Sequence, residues 1–238
     1  MNMKRLLSLA VVGLTSLWAA SLPGAAGAQE PPKVQMPQPG VPQIMTLEGR
    51  YVRAAYNNEG YVILGYRVVN ESVGEPWMLL DVGVALREGV QGYDLKREAV
   101  SLETPDGKTL PLPSVEEYRK ANLSALETMA KVKHDSINYF PPNARQACRI
   151  GFFAELGQQM LAWDQVELSN QRGCVGRFFF QVPGGITYGQ HWLNVKFANS
   201  LVRVPFRVLT KDEDKLLDKN YGDIKKQVDA AFSKKKKS

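Results

Sequence analysis

The chain has 238 residues, with 30 Lys and Arg against 24 Asp and Glu, two His, two Cys and a net charge of +6. Lys4, Arg5 and the four lysines at 234–237 account for all of that excess, so the rest of the chain is neutral. A neutral body lacks the electrostatic footprint that phosphate binding leaves, which argues against a nucleic-acid-binding protein.

The first 28 residues have the three parts of a secretory signal. Lys4 and Arg5 precede an apolar run, and Ala26-Gly27-Ala28 ends the segment in the small-x-small pattern of a cleavage site. The run is short for a membrane anchor, which needs about 20 residues. We therefore expect a periplasmic or secreted protein that starts at Gln29, with no transmembrane segment left after the signal is removed.

Residues 29–43 contain five prolines. Proline removes an amide donor and favours extended polyproline conformation, so this segment is predicted to be a linker. A ligand for a proline-recognition domain is the alternative.

From residue 44 to residue 209 the sequence has the pattern of an all-β domain. Short segments rich in β-branched and aromatic residues alternate with turn residues, and Pro105-Asp106-Gly107 and Asn199-Ser200 each mark a hairpin turn. This spacing predicts a β-sandwich. The candidate strands are 50–57, 60–70, 76–88, the two arms of 99–113, 148–156, 165–169, 174–182, 191–198 and 202–209.

Cys148 and Cys174 are predicted to form a disulfide. They are an even pair in a chain predicted to be exported, and strand alternation places both sulfur atoms on the apolar side of their segments. The C-x-x-C spacing of a redox-active pair is absent, so we expect a structural bond that contributes about 3 kcal/mol to stability.

The strand count, the hairpins and the paired cysteines over residues 46 to 209 resemble the small immunoglobulin-like sandwiches exported by bacteria. The resemblance implies two packed antiparallel sheets in an immunoglobulin-like β-sandwich. It carries over no functional residue, and Trp163 lies too close in sequence to both cysteines for the antibody pattern.

Two helices are predicted beside the strands. Ser114 with Glu117, and Thr210 with Glu213, have the spacing of a capping box. The first pair predicts an inserted helix over about 114–132, and the second begins an amphipathic C-terminal helix with a Lys-rich tail over 210–238. The apolar residues of the second helix recur on one face and are Leu217, Tyr221, Ile224, Val228 and Phe232.

The tail is predicted to be a solvated helix end. The alternative is a weak contact with a membrane surface through its four lysines, which are Lys234, Lys235, Lys236 and Lys237.

Three consecutive phenylalanines raise the question of what covers the outer face of their strand. Alternation places Phe178 and Phe180 inside and Phe179 outside. The apolar face of the C-terminal helix packs either over Phe179 and Trp192 or over the open end of the sandwich. The alternative is that the outward-facing residues of this strand bind a partner. If this strand adjoins the last hairpin, the candidate binding surface contains Arg177, Phe179, Trp192, Lys196, Arg203 and Arg207.

The sequence contains no strong catalytic or metal-binding motif. His134 and His191 lack the spacing of metal ligands, so no cofactor or metal is expected, and Asp81 is predicted to lie on a polar strand face. The leading hypothesis is an exported, non-catalytic binding or scaffolding module with another envelope protein as its partner. The alternatives are an envelope hydrolase that uses Asp81 or Asp135 with His134, or a metal-binding carrier.

Overall fold

The structure is a computed structural model that describes residues 43–154 and 161–233. The prediction of a mainly β chain is confirmed, since the described ranges hold twelve strands in three sheets. The signal peptide, nearly all of the linker and the Lys-rich tail lie outside the described residues and stay predictions. No helix within these ranges is long and apolar enough to cross a membrane.

Several strands are shorter than the sequence segments that predicted them, whereas the strand over 172–181 is one residue longer than its segment, 174–182. The segment 60–70 forms a strand only as far as Gly65 and then a short helix. The strands are β1 (Ile44–Gly49), β2 (Val52–Tyr56), β3 (Gly60–Gly65), β4 (Trp77–Leu86), β5 (Tyr93–Lys96), β6 (Val100–Glu103), β7 (Thr109–Pro111), β8 (Gln146–Arg149), β9 (Gln165–Leu168), β10 (Arg172–Gln181), β11 (Gly189–Lys196) and β12 (Leu201–Val208).

Four α-helices accompany them, and the inserted helix predicted over 114–132 is two helices rather than one. The helices are α1 (Arg67–Asn70), α2 (Val115–Lys120), α3 (Ser124–Val132) and α4 (Lys211–Ser233). Both predicted capping boxes form: the Ser114 hydroxyl accepts from the backbone N–H of Glu117 at 3.2 Å, and Thr210 does the same for Glu213 at 3.3 Å.

A six-stranded sheet, a four-stranded sheet and a two-stranded ribbon make up the β structure. The large sheet has the order β1-β2-β3-β4-β10-β8, in which only β8 runs parallel to its neighbour. The smaller sheet has the order β12-β11-β6-β7, and β5 pairs with β9. Four successive strands in one sheet, β1 to β4, depart from the Greek-key strand order of immunoglobulin domains.

The main core lies between the inner faces of the two larger sheets. Phe178 pairs with Leu80 and Phe180 with Met78, and all four side chains are buried. The last hairpin faces them, and its buried side chains include Leu193, Val195, Val202, Val204, Phe206 and Val208. Strand alternation therefore predicted the inward positions of Phe178 and Phe180 correctly.

The outer face of the six-stranded sheet is also covered, by residues 112–145 and 150–154 on either side of β8, which we call the insertion. Ile137 and Phe140 of the insertion pack against a second apolar cluster on this face, which includes Ile63. A Cβ atom at Gly83 or Gly173 would come within 2.9 Å of the Phe140 ring. The absence of a side chain at these two glycines therefore leaves room for the ring. The six-stranded sheet is the middle of three layers, between the insertion and the four-stranded sheet.

Arg97 fixes the insertion to the body of the domain. Its side chain is buried and donates to the backbone carbonyl of Pro113 at 3.1 Å and to that of Phe152. Its guanidinium also lies 4.8 Å from the ring centroid of Phe153. A buried cation needs such partners, so this contact holds both ends of the insertion at one point.

The C-terminal helix packs elsewhere than expected. Helix α4 lies along β1, at the edge of the six-stranded sheet, and Arg50 holds it through Asp214 at 2.9 Å and Asp218 at 2.8 Å. Its predicted stripe is half-buried there at Leu217 and Tyr221. Of the alternatives left open by the sequence, cover of Phe179 by this helix is therefore wrong, because the insertion occupies that face.

Candidate functional site

The predicted disulfide is present. Cys148 and Cys174 are bonded, with their Cα atoms 4.1 Å apart, and occupy paired positions on the parallel strands β8 and β10. The bond joins the edge strand β8 to the six-stranded sheet within one layer. It therefore fixes the position of Arg149 and Ile150, which follow directly and line the cavity described below.

The six residues of the predicted binding surface do not lie on one face. Arg177 and Phe179 belong to β10 in the six-stranded sheet, whereas Trp192, Lys196, Arg203 and Arg207 belong to β11 and β12 in the other sheet. The surface depended on β10 being the neighbour of the last hairpin. That neighbour relation does not exist, because β4 and β8 flank β10.

Phe179 points outward as predicted but is only 2% exposed. The ring of Tyr118, from α2, lies 5.0 Å from it, and the ring of Phe153 lies 5.3 Å from it. The insertion therefore answers the question raised by the three phenylalanines. Sequence reasoning missed Tyr118 because its helix was given no packing face, and it missed Phe153 because that residue was assigned to a strand over 148–156, whereas the strand ends at Arg149.

Arg203 and Arg207 of β12 each pair with a nearby carboxylate. Arg203 pairs with Glu103 at 2.5 Å and lies over the Trp192 ring at 4.7 Å, which leaves that indole 8% exposed. Arg207 pairs with Glu213 at 2.7 Å, at the start of α4, while Lys196 is exposed at the end of β11. This face is therefore a set of internal ion pairs.

A cavity of about 340 Å³ lies between the insertion and the outer face of the six-stranded sheet, and we call it the inter-layer cavity. Apolar and aromatic side chains form most of its wall, and two carboxylates and two guanidinium groups are also among the lining residues. Its lining residues are Asp81, Tyr118, Glu127, Ile137, Arg149, Ile150, Phe153, Ala154, Val175, Gly176, Arg177 and Phe179.

An ion pair forms the polar part of this cavity. Asp81 in β4 and Arg177 in β10 occupy paired positions, and Nε of Arg177 donates to Oδ1 of Asp81 at 3.3 Å. Their side chains are 15% and 23% exposed. Burial raises the pKa of Asp81 above its usual value, and the charge and hydrogen bond of Arg177 oppose that rise.

The opposite wall is held by a second polar contact. The Tyr118 hydroxyl donates to a carboxylate oxygen of Glu127 at 2.7 Å, which ties α2 to α3. Both side chains are buried, so the two helices approach the sheet as one unit.

The residues of the hydrolase alternative do not meet in this cavity. Asp81 lines it, whereas Asp135 is bound by both Nε and Nη2 of Arg67, at 3.0 and 2.7 Å. His134 is exposed. A general acid–base pair needs groups that converge on one reacting atom. The charges of His134 and Asp135 influence the pKa of Asp81, but neither residue is among those that line the cavity.

A histidine at the start of a strand would be expected to be exposed, but His191 is not. It is fully buried in the four-stranded sheet, stacked 5.3 Å from the Phe206 ring, and burial lowers its pKa below the usual value. Within the described ranges, no three His, Cys, Asp or Glu side chains are grouped so that they could hold a metal ion.

Comparison with known proteins gives no further guide to function. No family model, no curated protein and no solved structure matches the chain.

Proposed function

We propose that this chain is an exported, non-catalytic binding module of the cell envelope, and that its ligand site is the inter-layer cavity. One observation carries the proposal: a concave, mainly apolar space with a few fixed polar groups lies beside the ion pair of Asp81 and Arg177. Ligand sites in proteins have this composition, and 340 Å³ is at the small end of their range.

Export is supported by the predicted signal peptide and by the disulfide, since such bonds persist in oxidising compartments. N-terminal sequencing of protein recovered from the periplasm or medium tests it, and we expect the sequence to begin at Gln29. The proposal does not need an immunoglobulin-like topology. The chain has two packed sheets, as such domains do, but its disulfide lies within one sheet.

The expected partner, another envelope protein, was inferred from a surface whose six residues are now divided between two sheets. A small ligand in the cavity fits the described geometry better, because Phe179 is covered and the cations of β12 are paired.

The proposal is tested by filling the cavity. Val175 lines it and is 38% exposed, so Val175→Trp places an indole at its wall without disturbing the main core. We expect this variant to abolish the fluorescence enhancement of anilinonaphthalene sulfonate, a probe of apolar sites, while it keeps the wild-type melting temperature.

Leu201→Trp is the matched control, because Leu201 is a similarly exposed aliphatic residue in the other sheet. It should leave probe binding unchanged. Equal binding by both variants and the wild type would show that the cavity is not the site.

A further inference from the structure

We propose that the inter-layer cavity binds a small amphipathic carboxylate, which pairs with the terminal nitrogens of Arg177 and packs its apolar body against Ile137 and Val175. The inference rests on the proposed function and adds to it the chemical class of the ligand.

The first observation is the incomplete pairing of Arg177. A guanidinium carries five N–H donors, and in Arg177 only the Nε donor is bonded, to Asp81. Within residues 43–154 and 161–233, its Nη1 and Nη2 atoms make no hydrogen bond. Those two nitrogens form the fork that binds a carboxylate bidentately.

Other arginines of the domain differ in this respect. Arg67 gives Nη2 as well as Nε to Asp135, and Arg207 does so to Glu213. Arg203 gives Nη2 to Glu103. Arg177 lines a cavity with its terminal nitrogens still available, which is the arrangement of a ligand anchor.

Asp81 acts as a positioning residue for that anchor. Its carboxylate holds Nε from the paired position on β4, so the guanidinium is fixed before a ligand arrives. The Arg177 side chain is 23% exposed, and a charge pair formed in such partly desolvated surroundings is stronger than one in open water.

The walls define the rest of the ligand. Ile137 and Val175 present aliphatic groups to the cavity, whereas the rings of Phe153 and Phe179 are only 5% and 2% exposed. A volume of about 340 Å³ has room for one ring or a short acyl chain. An aryl acid and a short fatty acid both carry the carboxylate that Arg177 would bind, and the experiment below distinguishes them.

The test is isothermal titration calorimetry of the purified protein, with its disulfide formed, against 4-phenylbutyrate and octanoate and the primary amide of each. A hydrogen-bonded charge pair contributes about 1.5–3 kcal/mol, so we expect at least one acid to bind about tenfold or more tightly than its amide. A preference confined to one acid identifies the body as aryl or acyl.

Two variants locate the preference. Arg177→Gln should reduce the affinity of the acid to that of the amide, whereas Arg172→Gln should change neither. Arg172 lies on the same strand and pairs with Glu167 outside the cavity, so it is a matched control. The comparison of acid with amide on the wild-type protein stands even if Arg177→Gln does not fold.

The outcomes separate this inference from the proposed function. If acid and amide bind with equal affinity and both fail to bind Val175→Trp, the inference that the ligand is a carboxylate would be overturned, and the cavity would remain the site. Failure of all four compounds to bind, while the fluorescent probe binds the wild type and not Val175→Trp, would overturn the inference and leave the cavity as the site. An acid preference that survives Arg177→Gln would place the anion elsewhere and overturn the inference.

Discussion

Truncation of Phe179 distinguishes a buried layer from an exposed binding surface. The side chain is 2% exposed and contacts the rings of Tyr118 and Phe153 at 5.0 and 5.3 Å. Phe→Ala changes in protein cores cost about 3–5 kcal/mol. Because the inter-layer cavity already adjoins this ring, part of the void exists before the change. We therefore expect Phe179→Ala to lower the free energy of unfolding by about 3 kcal/mol, the lower end of that range.

Urea unfolding followed by circular dichroism measures this loss as a shift of the midpoint at constant slope. Phe179→Leu keeps an apolar group in the site and should cost less than about 1.5 kcal/mol. Tyr188 is 50% exposed, so Tyr188→Ala is the control for aromatic truncation at the surface and should stay within about 0.5 kcal/mol of the wild type.

The result that would refute this reasoning is a small loss for Phe179→Ala. If it unfolds within about 0.5 kcal/mol of the wild type, as exposed positions do, the insertion does not cover the sheet in solution. A change in the slope would instead indicate that the insertion detaches as a separate unit, because the slope reports the surface exposed on unfolding.

Three further changes test other parts of the fold. Replacing Cys148 and Cys174 together by Ser should lower the free energy of unfolding by about 3 kcal/mol, measured by urea unfolding without reductant, because the bond closes a loop with a sequence separation of 26. Thr210→Ala removes the cap of α4 and should cost about 1 kcal/mol in the same assay, with no change in ligand binding. Burial lowers the pKa of His191, so as the pH falls below about 6.5 the unfolded chain takes up a proton at this residue before the folded chain does. The free energy of unfolding should therefore drop by up to about 1.4 kcal/mol per pH unit below that pH. His191→Phe should remove this part of the pH dependence.

The sequence predicted the features that depend on local periodicity. Alternation placed Phe178 and Phe180 inside and Phe179 outside, and the capping boxes at Ser114 and Thr210 were both correct. The turn at Gly107 also forms, with a φ of 81° that glycine adopts without strain. Each of these outcomes is decided by residues close together in the chain.

Features that depend on distant neighbours were not predictable in the same way. The outer face of β10 was assigned to a surface because its neighbours were assumed to be β11 and β12, and strand order is not encoded in alternation. The cover of Phe179 was missed for the same reason. A signal was present in Gly83 and Gly173, since glycine in a strand often marks a close approach by another group, here the Phe140 ring.

The position of the cavity follows from the way the insertion covers the sheet. At one end of the outer face, Tyr118 and Phe153 pack on Phe179, and at the other end Phe140 fills the hollow at the two glycines. Between them lie Asp81 and Arg177, and an apolar cover over this ion pair would remove water without replacing its hydrogen bonds. The cover therefore matches the sheet where the sheet is apolar and leaves a space where it is charged. A ligand with an apolar part and one carboxylate would fill this space and accept hydrogen bonds from the terminal nitrogens of Arg177.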